Sequence, residues 1–180
     1  RAMEMLKLVE MPNADQRMKE YPPQLSGGMR QRVMIAIALC CEPDILIADE
    51  PTTALDVTIQ AQILELMQGL KEKTKTAIML ITHNLGVVAQ VCDRVMVMYA
   101  GRAIETAGVR ELFHEARHPY TRALLESIPK AGKRGKGRRL PAIKGIASSP
   151  ANLPRGCRFN DRRGFAQDLC VAEVPELIAH

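Results

Sequence analysis

The chain has 180 residues, of which 47% are hydrophobic, 25% are charged and 3% are aromatic. This is the composition of an ordinary globular protein with about one domain, and it excludes a collagen, a disordered polymer and a disulfide-rich scaffold. The longest nearly continuous apolar stretch, 33–41, has nine residues, which is about half of the roughly 20 residues that span a bilayer. We therefore expect no membrane-spanning helix.

The charge is distributed unevenly along the chain. The formal net charge is +5, but segment 130–163 contains eleven lysines and arginines and one acid, so the remaining residues are net acidic. Clustered cations of this kind bind acidic headgroups or nucleic acid. We expect instead that this basic segment is a solvated arm.

The five cysteines are odd in number and scattered through the chain. This pattern favours a reducing compartment over a secreted disulfide framework. Cys40, Cys41 and Cys92 lie on predicted apolar helix faces, and we expect them to be small core residues.

Three helical segments precede the first predicted strand. The periodicity of apolar residues predicts helices over 1–9, 13–19 and 29–41. The third has apolar residues at four-residue steps, which is typical of a helix with one buried face. The residues that we predict on this face are Val33, Met34, Ile37, Ala38 and Cys41.

A strand, a helix and a second strand follow. Segments 45–49 and 77–81 are apolar at consecutive positions, which predicts strands covered on both faces, as in a parallel sheet. Segment 57–73 between them predicts a helix, and the three together form a right-handed βαβ crossover. The fold class is therefore α/β. The apolar stripe of the helix comprises Ile59, Ile63, Leu66, Met67 and Leu70.

The second half of the chain continues with short elements and ends in a polar segment. Gly, Lys, Arg and Pro dominate segment 129–154, which predicts a linker or a solvated arm. Before it we predict a helix over 84–91, strands over 94–99 and 102–106, and helices over 109–113 and 120–127, the last opened by Pro119.

The segment Leu-Ser-Gly-Gly-Met-Arg-Gln at 25–31 is the strongest local signal. Its two glycines let the backbone approach a ligand, and they precede a helix whose first N–H groups lack internal partners. Such a helix tip binds anions, and Ser26 adds a hydroxyl group. Arg30 and Arg32 place positive charge where the helix dipole disfavours it, a conflict that an anion or a nearby acid would offset. The alternative is a turn that caps an ordinary helix.

Polar side chains follow both strands of the predicted crossover. Asp49 and Glu50 end the first strand, and His83 lies just beyond the second. Because ligands gather at the carboxyl ends of strands in α/β sheets, we expect these three residues to converge on one rim. Carboxylates suit Mg²⁺, which we assign to Asp49, and Glu50 is placed to deprotonate a water that attacks a phosphate. The alternative is a solvated acidic strand end with a structural histidine.

These elements, together with Ala-Leu-Asp at 54–56, resemble in their order the C-terminal half of an ABC-type nucleotide-binding domain. The resemblance makes 25–31 the signature motif, 45–49 the Walker B strand and 54–56 the D-loop. It also implies that Glu50 is the catalytic base and His83 the switch histidine. The sequence departs from many members at Met29, where they carry Gln or Glu.

The resemblance further implies which residues meet ligands. Asp49 would bind Mg²⁺. The residues that would contact ATP are Ser26, Gly27, Gly28, Gln31 and Asp56, the last lying across a subunit boundary. Asp56 also fits a helix N-cap, and both roles can hold.

A phosphate-binding loop of the form Gly-x-x-x-x-Gly-Lys-Ser/Thr is expected before these motifs. Nothing before Ser26 matches it, and 132–139 has the glycine spacing but ends in Arg138 and Arg139 without a preceding strand. The chain also starts at Arg1 within helix-like sequence. We therefore expect it to be a fragment of a longer protein that carries the Walker A and Q-loop motifs upstream, and to be inactive alone.

Three further segments resemble the C-terminal extension of oligopeptide and dipeptide importer ATPases, namely 118–125, 140–145 and 154–159. We accordingly divide the chain into a partial nucleotide-binding domain, 1–128, and a basic linker with this extension, 129–180. Some relatives hold an iron–sulfur cluster there. This chain has Cys157 and Cys170 but Arg163 at an expected cysteine position, and two thiolates are short of four, so we expect no cluster.

The resemblance implies an ATP-hydrolysing subunit of a bacterial di- or oligopeptide importer, peripheral on the cytoplasmic face of the inner membrane. It implies a second ABC ATPase subunit, identical or paralogous, transmembrane permease subunits and, indirectly, a peptide-binding protein. No nucleic acid is expected. Since specificity in such systems lies in other subunits, the solute, peptide or nickel, stays open. The alternatives are a soluble ABC-type ATPase acting on nucleic acid or ribosomes, and a truncated, non-catalytic interaction module.

Overall fold

A computed structural model describes residues 1–128, 143, 145, 146, 148, 149, 151–164 and 166–178. The chain divides into two units, Arg1–His83 and Asn84–His180. No helix among the described residues combines the length and the apolar character needed to cross a bilayer. Most of the predicted linker, the glycine-spaced segment 132–139, and residues 140–142 and 144 of the extension motifs lie outside the described residues.

The first unit contains the predicted strand–helix–strand crossover. Strands β1 and β2 are parallel, and their register pairs Ile45 with Ala77 and Asp49 with Ile81. Both strands therefore end at the same edge, as predicted. The elements are α1 (Ala2–Leu8), α2 (Ala14–Arg17), a 3₁₀ turn (Pro22–Gln24), α3 (Gly27–Leu39), β1 (Ile45–Asp49), α4 (Val57–Thr74) and β2 (Ala77–Ile81).

Helices α1, α3 and α4 share one hydrophobic core with β1. The predicted apolar stripe of α4 is confirmed: Ile63, Leu66, Met67 and Leu70 are buried, and Ile59 packs against them in part. The other buried members of this core are Leu6, Val9, Met11, Ala14, Ile35, Ala36, Leu39 and Leu46.

The buried face of α3 differs from the predicted one. The helix begins at Gly27 and buries Ile35, Ala36 and Leu39, whereas Met34 is 62% and Ile37 is 61% exposed. Residues at four-residue steps advance by about 40° per step around an α-helix. A row that starts at position 33 therefore leaves the core side before it reaches position 41.

The cysteine prediction was also wrong for this helix. Cys40 and Cys41 lie beyond Leu39, the last helical residue, and both thiols are exposed. Cys92, which follows the helix Leu85–Val91, is half-buried. These residues end their helices and do not sit on the buried stripes, because the stripes stop before them.

The strands of the first unit are covered on one face and not on both. Leu46 is buried in the core, whereas alternate residues on the opposite face are open. Successive strand residues point to opposite faces, so a two-stranded sheet that packs its helices on one side exposes every second side chain. The exposed apolar residues are Ile45, Ile47, Met79 and Ile81.

The second unit is built on an antiparallel hairpin. Strands β3 and β4 pair Tyr99 with Arg102, and the turn between them places Ala100 and Gly101 at φ of 47° and 79°. Two positive φ values are what a two-residue hairpin turn requires, and glycine adopts them without a Cβ penalty. The elements are α5 (Leu85–Val91), β3 (Arg94–Tyr99), β4 (Arg102–Gly108), α6 (Val109–Glu115), α7 (Pro119–Glu126), a 3₁₀ turn (Asn160–Arg162) and α8 (Asp168–Ala172).

An aromatic cluster joins the C-terminal segment to this hairpin. The ring of Phe159 lies 5.3 Å from that of Tyr99 and 5.5 Å from that of Tyr120. Edge-to-face contacts at such distances favour association beyond the area that they bury. Residues 84–128 thus share a unit with the extension, and the domain boundary at 128 stays a prediction.

Candidate functional site

The Ser-Gly-Gly segment forms the tip of α3. Ser26 is the N-cap, and its Oγ accepts a hydrogen bond from the N–H of Met29 at 3.3 Å. Gly27 and Gly28 occupy the first two helical positions, where helix geometry provides no intrahelical partner for the N–H groups. The Ser26 side chain is exposed. The capping interpretation is therefore confirmed, and Ser26 is open to a ligand, whereas Gly28 is buried.

The two glycines also have a packing role that the sequence did not reveal. A Cβ on Gly28 would lie 2.6 Å from Cγ2 of Ile59, and one on Gly27 would lie 3.2 Å from Cδ2 of Leu55. Real Cβ atoms do not approach a methyl group as closely as 2.6 Å. The absence of side chains on this tip lets it contact the segment that leads into α4.

Asp56, which is also predicted to contact a ligand, lies on the segment that leads into α4. Asp56 caps α4, since its Oδ1 accepts a hydrogen bond from the N–H of Ile59 at 3.0 Å. Its carboxylate is otherwise exposed, and the helical Gln31 is half-buried in α3. The N-cap role of Asp56 is confirmed, whereas nucleotide contact by Asp56 and Gln31 stays a prediction.

Arg32 does not mark an anion at the α3 tip. Its Nη1 donates to the carbonyl oxygens of Val9 at 2.6 Å and of Glu10 at 3.2 Å. These carbonyls belong to the end of α1, where a cation is favourable. The charge of Arg32 thus joins two helices of the core.

The acids and the histidine meet at one rim, as predicted. Asp49 ends β1, and the N–H of Glu50 donates to the carbonyl oxygen of Ile81 at 2.9 Å. Nδ1 of His83 lies 2.7 Å from Oε1 of Glu50. Glu50 itself has a φ of 43°, so it has left the strand conformation and its direction does not follow from strand alternation.

The Glu50 carboxylate has a second partner that could not be predicted from the sequence. Oγ1 of Thr53 donates to Oε2 of Glu50 at 2.7 Å, so each carboxylate oxygen has a partner. The hydrogen bond from Thr53, followed by that from His83, lowers the pKa of Glu50 below its usual range. The side chain therefore stays ionised at neutral pH, which is the form that accepts a proton.

Replacing Thr53 by valine is expected to raise the pKa of the Glu50 carboxyl group. Without the hydroxyl group the carboxylate loses a hydrogen bond that favours its ionised form, so it takes up a proton at higher pH. NMR titration of the Glu50 side chain measures this change. Thr52→Val is the matched control, and an equal pKa of Glu50 in both variants would contradict the assignment.

His118, which belongs to one of the extension motifs, lies in the second unit at the start of α7. His118 caps α7, and its Nδ1 accepts a hydrogen bond from the N–H of Tyr120 at 3.1 Å. The carboxylate of Glu105 accepts from the N–H groups of Arg117 and His118 at 2.6 Å and 3.1 Å. Burial lowers the pKa of His118, consistent with a neutral ring that accepts at Nδ1. The motif at 118–120 therefore builds a helix start.

The cysteines of the extension do not fit a four-thiolate cluster. The N–H of Cys157 donates to the carbonyl oxygen of Cys170 at 2.8 Å, and Nη1 of Arg163 lies 3.3 Å from the Cys170 sulfur. The guanidinium of Arg163 thus places a positive charge beside Cys170. A cluster would need another thiolate at that place. Among the described residues, no three His, Cys, Asp or Glu side chains are grouped to hold a metal ion.

Two protein families match the chain over separate ranges. Residues 1–53 match the ABC transporter family. Residues 104–170 match the C-terminal region of the oligopeptide/dipeptide transporter. The first range contains the α3 tip and the acids of the rim, and the second contains Tyr120 and Phe159 of the aromatic cluster.

Curated relatives are similar over nearly the whole chain. The oligopeptide transport ATP-binding protein AppD of Bacillus subtilis is 58% identical over 180 residues, which cover 100% of this chain and 54% of that protein. A protein of Sinorhizobium fredii named "probable peptide ABC transporter ATP-binding protein y4tR" is 54% identical over 98% of this chain and 52% of its own length. The chain thus spans about half the length of the curated relatives it matches.

Solved structures are similar in fold. Dimeric MJ0796, a bacterial ABC transporter cassette, matches with a TM-score of 0.51 and 35% identity, over 61% of this chain and 46% of that chain. A post-hydrolysis dimer of the same cassette with ADP and Pi has a TM-score of 0.51 and 33% identity, over 60% and 45%.

Proposed function

Since this chain belongs to the family of ABC transporter ATP-binding proteins, we propose that the whole protein hydrolyses ATP to drive the import of di- and oligopeptides. One observation carries the proposal: Glu50, held ionised by two hydrogen bonds, lies next to His83 where two parallel strands end. A carboxylate base beside an imidazole at this rim is suited to the hydrolysis of a phosphoanhydride.

In the proposed reaction Glu50 orients a water and takes its proton as the water attacks the γ-phosphate. His83, whose Nδ1 lies 2.7 Å from the Glu50 carboxylate, would position this carboxylate and contact the γ-phosphate. The exposed carboxylate of Asp49 fits a hard cation, and Mg²⁺ held there would neutralise charge on the phosphate oxygens. The donor chemistry of these residues therefore supports ATP with Mg²⁺ as the substrate.

In this proposal the α3 tip does not contact the ATP that Glu50 helps to hydrolyse, but the ATP of a second subunit. Ser26 and the N–H groups of Gly27 and Gly28 would close over the γ-phosphate bound to a second ATPase subunit, with Gln31 nearby. Asp56, which caps the adjoining helix, would lie at the boundary between the two subunits. The exposure of Ser26 at the start of α3 supports this arrangement.

The proposed assembly places two such subunits head to tail at the cytoplasmic face of the bacterial inner membrane. ATP binding would close the pair, and hydrolysis would reopen it. Permease subunits would convert this cycle into transport of a solute that a peptide-binding protein delivers. The family match at 104–170 and the peptide transport names of the relatives support this assignment over an ATPase that acts on nucleic acid.

The test is reconstitution of the whole protein with its membrane subunits in lipid vesicles. We expect the protein to co-purify with permease subunits, and ATP hydrolysis to rise when a peptide-loaded binding protein is added. Hydrolysis stimulated by RNA or ribosomes, with no permease bound, would contradict the proposal. The chain alone, which lacks the phosphate-binding lysine motif in its sequence, is expected to bind Mg-ATP weakly in calorimetry.

A further inference from the structure

Two neighbouring thiols at the end of α3 take no part in the proposed hydrolysis. Cys40 is the C-cap of the helix, Cys41 follows it, and their sulfur atoms lie 3.7 Å apart. Side chains of consecutive helical residues do not face each other. Here the helix has ended at Leu39, the chain turns at Glu42 with a φ of 51°, and the two sulfur atoms lie close together.

Neither thiol contributes to the hydrophobic core. Both side chains are exposed, unlike Cys157, which is buried, and Cys92, which is half-buried. The turn that carries them is tied to α1, since the guanidinium of Arg1 donates to the carbonyl oxygen of Cys40 at 3.1 Å and to the carboxylate of Glu42 at 2.5 Å. The pair is therefore both accessible and held in place.

We propose that Cys40 and Cys41 form a chelating site for thiophilic metal and metalloid ions. Two sulfurs bound to one tetrahedral centre, each at about 2.3 Å, lie about 3.8 Å apart. The observed separation of 3.7 Å meets this requirement with little movement. Thiols select soft ions over hard ones, and the C-terminal end of a helix favours positive charge.

A trivalent arsenical is the sharpest probe of such a pair. Phenylarsine oxide condenses with two thiols: two S–H bonds and the arsenic–oxygen bond break, two As–S bonds form, and the oxygen leaves as water with both protons. Arsenic stays trivalent, so no oxidant is needed.

The experiment labels the whole protein with one equivalent of phenylarsine oxide in the presence of a monothiol competitor. We expect one adduct per chain, located at 40–41 by peptide mapping and released by a dithiol. Because a second thiol on the same chain acts at an effective concentration on the order of millimolar, Cys41→Ser is expected to lower labelling about tenfold or more. Cys92→Ser, the matched control, is expected to keep it.

Three results would overturn the site: an adduct located at Cys157 or Cys170, unchanged labelling of Cys41→Ser, or an adduct that a monothiol removes from the unmodified sequence. Cys41→Ser replaces an exposed side chain, so we expect its thermal unfolding to stay close to that of the unmodified protein. The readout is a covalent adduct and does not depend on ATP hydrolysis, so it remains valid whatever becomes of the proposed function.

Discussion

Replacing Glu50 by glutamine is expected to slow ATP hydrolysis by the whole protein about 10²- to 10⁴-fold, equivalent to about 3 to 5 kcal/mol of barrier. The amide keeps the shape of the side chain and one oxygen that can accept from Thr53. It cannot take a proton from the attacking water. The measurement is steady-state phosphate release at saturating Mg-ATP.

The control for this variant is Glu65→Gln, which changes the same group on an exposed position of α4. We expect Glu65→Gln to retain full turnover and Glu50→Gln to retain ATP binding. Turnover of Glu50→Gln close to that of the unmodified protein would remove Glu50 from the base role. Loss of nucleotide binding in the same variant would instead assign this carboxylate to the binding step.

Replacing Gly156 by alanine is expected to disrupt the docking of the C-terminal segment. Gly156 has a φ of 68°, and a Cβ there would lie 2.4 Å from the carbonyl oxygen of Cys170 and 2.6 Å from that of Val171. These are backbone atoms, so no side-chain rotation relieves the contact. The left-handed conformation alone costs about 1 to 3 kcal/mol, and the collision adds to this. Urea unfolding and limited proteolysis of 166–178 measure the loss.

Gly164→Ala is the matched control, because a Cβ at Gly164 meets no atom within 4 Å. Its effect on the free energy of unfolding is expected to stay within about 0.5 kcal/mol. Equal stability and equal protease resistance in the two variants would show that the Cys157–Cys170 backbone contact does not hold the segment.

The convergence of Glu50 and His83 could be predicted from the sequence because it follows from topology. Two strands joined by a crossover helix are parallel, so residues that follow them share one edge. The role of Thr53 could not be predicted in this way. Its contact depends on the positive φ of Glu50, which turns the carboxylate toward the loop, and no periodic pattern reports that torsion.

Whether a segment is a helix or a strand could also be predicted from the sequence. The face of a helix that is buried could not always be predicted. The stripe of α4 is long and regular, so its 3.6-residue period identifies the core side. Helix α3 is apolar over most of its surface, and which of Ile35 and Ile37 is buried depends on what packs against it. The packing of Gly28 against Ile59 could not be predicted either, because it is a contact between two different helices.

The open face of the β1–β2 sheet has a practical consequence for anyone who expresses this chain by itself. Ile45, Ile47, Met79 and Ile81 are each between 47% and 63% exposed, and they alternate with the core residues of the same strands. A contiguous apolar strand surface is a template for self-association. Aggregation of the isolated polypeptide would then begin at this sheet, and charged substitutions on these four side chains would improve its solubility.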